Sequence, residues 1–329
     1  MAAFPNGVSL TVPDFGGVNS DIDIHQEEHL GIVDAEFTAN VELLPFVDVH
    51  QVTGTNILRL ERISSIAAQG ISRGDPIVEE QFRQSQFKIE VDKMVMTRFG
   101  IADMDMWTQN RDYRRSYSAQ VANTLAEIFD TSVVTAAIHA QSFVPPPELG
   151  KSFKQTVVVP TDVDATAVTP ESADKLVRAH REAIKQLTQR NLGRAVYREG
   201  ITLVSPQLFS ILLEHNKLTS SIFGAGGKND FVGGNIGQLN GIRVMQTNRF
   251  PVEVNTAHQL GPQFNVTADD LKAQMLILIP SQSLIVAQNK ALTSVQWHDN
   301  KTMTEFVDTF HRYNIGARRP DSIAVITVK

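Results

Sequence analysis

The longest segment without proline or glycine limits the architecture of this chain most. It runs from Asn110 to about Gln141, and its apolar residues recur at helical spacing: Tyr113, Tyr117, Val121, Leu125, Ile128, Val133 and Ala136. Asn110 or Thr108 can cap its start, and the three prolines at 145–147 prevent its continuation. At ~1.5 Å per residue such a helix is about 50 Å long. We therefore expect one very long helix, which forms a backbone along which the other elements are laid.

Two extended segments precede this helix. Thr55–Ile66 is rich in β-branched and apolar residues, and Phe87–Thr97 alternates between two faces along its whole length. Gly70 and the run Gly74-Asp75-Pro76 mark turns between them, so the two segments predict a long two-stranded hairpin. Because a two-stranded ribbon alone is marginally stable in water, it needs a partner along its side. A sheet of the same domain and a neighbouring subunit both satisfy that need.

The first 48 residues show no sustained helix or strand period, and they contain Pro13, Gly16, Gly17 and Pro45. They form no face that could be buried against the same chain. The segment is either a frayed terminus or an arm that becomes ordered by lying on another subunit. It has no basic region followed by an apolar run, so we do not expect a secretory signal.

Residues His25–Leu30 read HQEEHL, which matches the H-x-x-E-H signature of inverted zinc peptidases. Two histidines one helical turn apart can hold a metal, but the helix must be rigid and a third ligand must be present. Here the segment starts near Asn19 and meets Gly31, which leaves about three turns at most. We interpret the motif as a polar turn in an N-terminal arm and predict no metal site. A zinc metallohydrolase that uses His25 and His29 is the alternative from a different functional class.

The other candidate motifs do not form a catalytic or cofactor-binding constellation. The stretch FGAGGKND lacks the first glycine and the hydroxyl of a phosphate-binding loop, and Asp103 and Asp105 have no third partner. His180 lies on an apolar helix face, where a hydrogen-bonded core histidine is the ordinary explanation. The chain has no cysteine, which excludes disulfides and thiolate chemistry. We predict no catalytic residue, cofactor or metal, and a protein that is not an enzyme.

Charge and hydropathy argue against two classes of partner. The formal net charge is −6, and lysine and arginine are scattered, whereas specific nucleic-acid recognition needs a basic face. No stretch approaches the roughly 18 uninterrupted apolar residues of a membrane span. We therefore expect neither specific nucleic-acid recognition nor a membrane partner.

The second half of the chain alternates helices and strands. Thr169, Pro170 and Glu171 predict a helix start. The apolar stripe of this helix is Ala173, Leu176, Val177, His180, Ile184 and Leu187, and the helix ends at Asn191-Leu192-Gly193. The strands ITLVSP, GIRVMQTN, AQMLILIP and SLIVAQN and the short helix PQLFSILLEHN follow. The pattern predicts an α+β fold without internal repeats.

Two stretches carry a family resemblance. Residues 233–251, GGNIGQLNGIRVMQTNRFP, are similar to the glycine turn and strand that enter the central domain in the major capsid proteins of tailed bacteriophages, particularly short-tailed phages. Residues 312–329, with G-x-R-R-P-D before a final strand, are similarly typical of that family. The order of arm, long hairpin, very long helix and compact α+β region extends the resemblance to the full chain.

The resemblance implies an α+β fold of the tailed-phage major capsid type. Its parts would be the N-terminal arm (1–48), the extended loop hairpin (49–98), the peripheral domain (99–195 and 291–312) with its spine helix (about 110–141), and the axial domain (196–290 and 313–329). The hairpin tip would contact a neighbouring subunit through Gln69, Gly70, Ser72, Arg73 and Gly74.

As such a subunit, the chain would assemble with itself into hexamers and pentamers of an icosahedral shell that encloses double-stranded DNA in the virion, after assembly in the host bacterial cytoplasm. Scaffolding, portal and decoration proteins would be further partners, and contact with DNA would be non-specific. Some members of the family cross-link through a lysine in the extended loop. The tip here has none and Lys88 lies well down the returning strand, so we predict a non-covalent shell.

An encapsulin-type nanocompartment, which shares the fold, is the alternative within the shell class. Those proteins typically begin with a helix in place of an extended arm. The glycines and prolines of the first 48 residues argue against such a helix.

Overall fold

The computed structural model describes residues 21–63, 68, 70–73, 84–102, 113–145, 154–215, 229–230 and 235–329. Within them the helices are α1 (Asp21–Asn40), α2 (Tyr113–His139), α3 (Pro170–Gln189), α4 (Gly193–Glu199) and α5 (Pro206–Leu213). The strands are β1 (Asp48–Gln51), β2 (Ile57–Ile63), β3 (Gln84–Glu90), β4 (Val95–Ala102), β5 (Val157–Pro160), β6 (Ile201–Val204), β7 (Asn229–Asp230), β8 (Asn235–Ile236), β9 (Gln238–Leu239), β10 (Ile242–Gln246), β11 (Ala273–Leu278), β12 (Leu284–Asp299), β13 (Thr304–Ala317) and β14 (Ala324–Thr327). The predicted α+β class is confirmed.

The chain divides into two compact units. The first takes its residues from 1–41, 95–127 and 290–311. The second takes its residues from 42–94, 128–289 and 312–329.

The first unit packs α1 and the first part of α2 against a sheet. In this sheet β13 lies between β12 and β4, and β4 pairs antiparallel with β13 from Val95↔His311 to Ala102↔Thr304. The ring of His29 on α1 lies 5.7 Å from that of Phe99 on β4, and Phe37 meets His311 edge-on at 5.9 Å. These contacts bury one face of the sheet under the helix.

The sequence prediction for the first 48 residues is wrong over α1. Twenty residues, more than five turns, form one helix that continues through Gly31 to Asn40. The helix buries His29, Val33 and Phe37, and Val41 follows at the same spacing of four residues. This stripe is one residue wide and begins with a histidine, so it gave a weak periodic signal. Its burial outweighs the roughly 1 kcal/mol that a mid-helix glycine costs. Residues 21–40 are therefore packed against their own chain.

The second unit is built on a six-stranded sheet with the order β5-β14-β11-β6-β10-β9. β5 is parallel to β14 and β6 to β10, whereas β11 is antiparallel to both of its neighbours. Side chains of α3 and α5 share a hydrophobic core with this sheet. β1 pairs in parallel with the start of β12, at Ile285–Gln288.

The second predicted helix is confirmed as α3. The hydroxyl of Thr169 accepts a hydrogen bond from the Ser172 backbone N–H at 3.2 Å, and Pro170 occupies the first helical position. The whole predicted stripe from Ala173 to Leu187 is buried. The helix ends at Gln189, and Asn191 takes a left-handed φ of 61° just beyond it.

The long helix is also confirmed, as α2 followed by a 3-10 turn from Ala140 to Ser142. Its predicted apolar stripe is partly wrong, because Tyr117 is exposed and the neighbouring Ser118 is buried. From Phe129 to Ile138 almost every residue is buried, so the helix becomes a core element with no solvent face there. The window Ser116–Ser142 is long and apolar enough to cross a membrane, but 67% of it is buried within the protein, which is typical of a core helix.

The predicted strand Phe87–Thr97 is two strands. β3 ends at Glu90, and β4 begins at Val95 and pairs with a different partner strand. At Val91 the ladder stops: its N–H donates to the Asn56 carbonyl, while its own carbonyl accepts from the Arg312 guanidinium. Val91 and Val95 stay buried, so the alternation of faces continues across a break in pairing.

Candidate subunit-contact hairpin

The hairpin predicted from Thr55–Ile66 and Phe87–Thr97 forms from β2 and β3. Seven residue pairs join the strands in antiparallel register, from Ile57↔Glu90 to Ile63↔Gln84. Among the described residues these two strands make a sheet of their own. A ribbon of two strands needs side support, and the structure supplies it from the second unit, to which the hairpin belongs.

The inner face of the hairpin is apolar and packs on its own chain. Leu58, Leu60 and Phe87 are partly buried, and Ile89 is fully buried. They contact a small core cluster formed by Val52, Val91, Ile285 and Ala287. This burial gives the hairpin the hydrophobic support that water denies to an isolated ribbon.

The end of β13 runs beside β3 and holds it through polar contacts. Arg312 Nη2 donates to the Val91 carbonyl at 2.9 Å, and Asn314 Nδ2 donates to the Glu90 carbonyl at 2.6 Å. Gly316 permits the closest approach, since an added Cβ would lie 2.8 Å from Ile89 Cδ1 and 2.9 Å from Phe87 Cζ. The glycine is thus required by contact distance and not by its backbone angles.

Arg62 holds the distal end of β2, and the sequence analysis missed it. Its side chain is 6% exposed, and its guanidinium lies 4.5 Å from the Phe87 ring centre and 4.9 Å from that of Phe143. Nη2 donates to the carbonyls of Ala317 at 3.0 Å and Arg318 at 3.1 Å. Burial lowers the pKa of Arg62, and the nearby charge of Asp321 raises it in part.

The outer face of the hairpin is charged and exposed. It carries Arg59 opposite Lys88, together with Glu61 and Glu90. Such charges keep a ribbon from pairing indiscriminately with other strands. Lys88 lies among them on the returning strand, four pairs from the distal end of the described ladder.

The residues nearest the predicted tip are exposed where the structure describes them. Gly70, Ser72 and Arg73 are exposed, and Ile63 and Ile71 are 50% and 49% exposed. Gln69 and Gly74 lie outside the described residues. Exposed isoleucines beside polar tip residues suit a surface that is covered by another molecule.

The H-x-x-E-H histidines do not form a metal site in the described part of the chain. His29 is buried; its Nδ1 lies 2.6 Å from Ser118 Oγ and its Nε2 3.2 Å from Thr309 Oγ1. Both ring nitrogens are therefore engaged in hydrogen bonds within the first unit. The side chain of His25 lies outside the described residues, within which no group of three or more potential ligands could hold a metal ion.

The remaining candidates of the sequence analysis are accounted for as follows. His180 is fully buried and hydrogen-bonded to Thr202 and Asn240, as predicted for a core histidine. Asp103 and Asp105 lie outside the described residues, as does most of the glycine-rich stretch FGAGGKND.

A buried carboxylate that the sequence did not single out joins three parts of the second unit. Asp130 on α2 is fully buried and accepts hydrogen bonds from the N–H groups of Glu42 at 3.0 Å and Leu43 at 3.1 Å. Arg249 Nε lies 3.7 Å from it. Burial raises the pKa of Asp130 to about 6, against the lowering effect of the two N–H donors and of Arg249.

A cleft of ≈ 560 Å³ lies between β3 and the end of α2, lined by Lys88, Lys93, His139, Phe143 and Phe264, among others. His139 binds across it, with Nδ1 2.9 Å from the Gln263 carbonyl and Nε2 3.2 Å from Asp270 Oδ2. The pair ties the loop that carries Gln263 and Asp270 to the end of α2.

No protein-family model and no curated protein sequence matches the chain. Solved structures do. The subunit in the asymmetric unit of the bacteriophage PhiM1 mature capsid is 26% identical, with a TM-score of 0.78 over 98% of this chain and 92% of that one. The capsid of cyanophage P-SCSP1u is 18% identical, with a TM-score of 0.74 over 86% of each chain.

A virus-like particle from Pyrococcus furiosus is more distant, at 12% identity and a TM-score of 0.55 over 92% of this chain and 99% of that one. It represents the alternative shell type more weakly than the phage capsids represent theirs. The helix α1 also removes the argument against that alternative that rested on an N-terminus without a helix. Along nearly its whole length the chain has the fold of the major capsid proteins of tailed bacteriophages, and the resemblance seen in its sequence is confirmed.

Proposed function

We propose that this chain is the structural subunit of an icosahedral phage capsid, assembled as hexamers and pentamers around double-stranded DNA. The observation that carries the proposal is the match to the PhiM1 mature capsid subunit over 98% of the chain. A capsid-protein fold supports a shell-forming structural role, and such a role requires no catalysis. In the proposal the protein resides in the virion after assembly in the bacterial cytoplasm, with scaffolding, portal and decoration proteins as partners.

In this proposal the domain plan drawn from the family applies to the chain. Residues 49–98 act as the extended loop, 99–195 and 291–312 as the peripheral domain, and 196–290 with 313–329 as the axial domain. The tip, with Gln69, Gly70, Ser72, Arg73 and Gly74, contacts the neighbouring copy. Exposure of the described tip residues, on a hairpin already held by its own chain, supports this role. Repetition of one modest contact over many copies then closes a stable shell.

The first test is particle formation. The purified protein, expressed with and without its phage scaffold, is sized by light scattering and examined by negative-stain microscopy. Closed shells or capsomer rings are expected. A persistent monomer of 36.4 kDa under both conditions would overturn the proposal.

A matched pair of variants tests the tip. Arg73→Glu places a negative charge at the tip, and Arg194→Glu makes the same change at an exposed position of α4. We expect Arg73→Glu to reduce the yield of shells while Arg194→Glu assembles as the wild type does. Equal yields for the two variants would remove the tip from the subunit contact.

Recovery of nuclease-protected DNA from wild-type particles made in infected cells tests DNA enclosure. Particles that protect protein cargo and no DNA would instead favour the encapsulin-type alternative.

A further inference from the structure

Arg62 is the last described residue at which the hairpin is held to the body of its own chain. It belongs to the sixth of the seven β2–β3 pairs, opposite Ser85, and only Ile63↔Gln84 lies beyond it. The supports from Arg312, Asn314 and Gly316 all act on the β3 side, at Phe87–Val91. Without Arg62, the described contacts would hold the base of the hairpin and leave its distal end attached only through β3.

The chemistry at Arg62 favours one orientation of the strand. A guanidinium is flat, and here it lies near two aromatic rings from different elements, Phe87 on β3 and Phe143 after α2. The same group donates to two carbonyls at the end of β13, Ala317 and Arg318. A purely apolar side chain would bury as well, but it would tolerate sliding and rotation that stacking and directed hydrogen bonds resist.

The position of this residue gives it leverage over the tip. Residues 64–83 connect Ile63 to Gln84, so the tip can lie at most about 33 Å beyond the last pair. A tilt of about 10° at that pair displaces a point at this distance by up to about 6 Å. Such a displacement exceeds the tolerance of any hydrogen bond or close packing contact.

We propose that Arg62 is a positioning residue that fixes the direction in which the hairpin presents its tip to the neighbouring copy. The inference rests on the proposed function, since it assigns a role to the tip contact of the shell. It predicts that loss of Arg62 leaves the subunit folded but changes the geometry of assembly.

The test compares Arg62→Met with Arg59→Met. Both changes remove one arginine from β2, but Arg59 lies on the exposed outer face. The direct measurement is hydrogen–deuterium exchange of peptides covering 57–63 in the unassembled full-length subunit. We expect these peptides to exchange about tenfold faster in Arg62→Met than in Arg59→Met, because two hydrogen bonds and the stacking are lost. Arg62→Lys keeps a donor for the same carbonyls and is expected to fall between Arg62→Met and wild type.

The assembly measurement is particle diameter by cryo-electron microscopy after co-expression with scaffold. Arg62→Met and Arg59→Met are expected to melt within a few degrees of each other; only Arg62→Met should give mixed diameters or free capsomers. Uniform wild-type shells from Arg62→Met, or exchange equal to that of Arg59→Met, would overturn the inference. Absence of shells from the wild type would instead overturn the proposed function, and the exchange measurement would still decide whether Arg62 holds the hairpin.

Discussion

Replacing His180 tests the account of the second unit's core. Asn240 Nδ2 lies 3.4 Å from the Val177 carbonyl, which can only accept, and it donates to His180 Nδ1 at 3.0 Å. Nε2 of the histidine must then carry the proton and donate to Thr202 Oγ1 at 2.9 Å. Both nitrogens are engaged in the neutral form, so a second proton has no acceptor to replace Asn240.

The magnitude follows from the shift in pKa. Burial lowers the pKa of His180 to about 3, whereas an unfolded histidine titrates near 6.5. The folded state is therefore stabilised relative to the unfolded chain above pH 6.5, and this stability is lost as the pH falls below that value. At pH 5 the unfolded chain has gained about 1.5 pH units of proton binding that the folded state lacks, which costs about 2 kcal/mol. Any folded pKa below about 4 gives the same result.

The assay is urea denaturation of the unassembled subunit, followed by far-ultraviolet circular dichroism between pH 7 and pH 5. His180→Gln stays neutral throughout, and it should lose about 2 kcal/mol less than the wild type over this range. His50→Gln removes an exposed histidine and should retain the wild-type pH dependence. If His180→Gln and wild type lost the same stability, the buried neutral histidine would not be the source of the acid sensitivity.

Asp130 should act with the opposite sign: because its folded pKa of about 6 is raised, the wild type should gain about 1 kcal/mol relative to Asp130→Asn from pH 7 to pH 5 in the same assay, and a relative loss would contradict the burial argument. Gly200→Ala places a Cβ 2.2 Å from the Val196 carbonyl and should lower stability by about 1–3 kcal/mol. Gly31→Ala meets nothing within 4 Å in α1 and should raise stability by about 0.5–1 kcal/mol, so thermal melts that shifted both glycine variants in the same direction would disagree with the structure. Mature particles boiled in detergent should run as one band at 36.4 kDa, since Lys88 is remote from the tip; a ladder of multiples would show covalent links.

The elements that could be predicted from sequence are those with strong local signals. The helix α3 has a cap, a proline at its first position and a wide apolar stripe, and its buried histidine follows from that stripe. The helix α1 has none of these. Its buried residues His29, Val33 and Phe37 make a stripe one residue wide, and only the sheet packed against them makes the stripe effective.

The break between β3 and β4 shows a different limit. Alternation reports which way a side chain faces, and Ile89, Val91 and Val95 all face inward. It does not report which strand supplies the hydrogen-bond partner, and that partner changes within these residues. Long-range contacts decide the change, so a single strand was the natural reading.

Arg62 was overlooked although its position carries a usable signal. It has the same parity as Leu58 and Leu60, so strand alternation places it on the inner face with them. A charged side chain at such a position needs acceptors from elsewhere in the fold. Those acceptors are the carbonyls of Ala317 and Arg318, more than 250 residues away in sequence.

The sequence left open whether the ribbon is completed by its own domain or by a neighbour. The structure shows that its inner face is already packed by its own chain, through the Ile285 cluster and the end of β13. The described hairpin therefore does not wait for assembly to become ordered. In the proposed shell this matters energetically, because a preformed element loses little conformational entropy when its tip meets another copy. A small exposed surface such as Ile71 and Arg73 can then be enough for each contact, provided that the hairpin is held in a fixed direction.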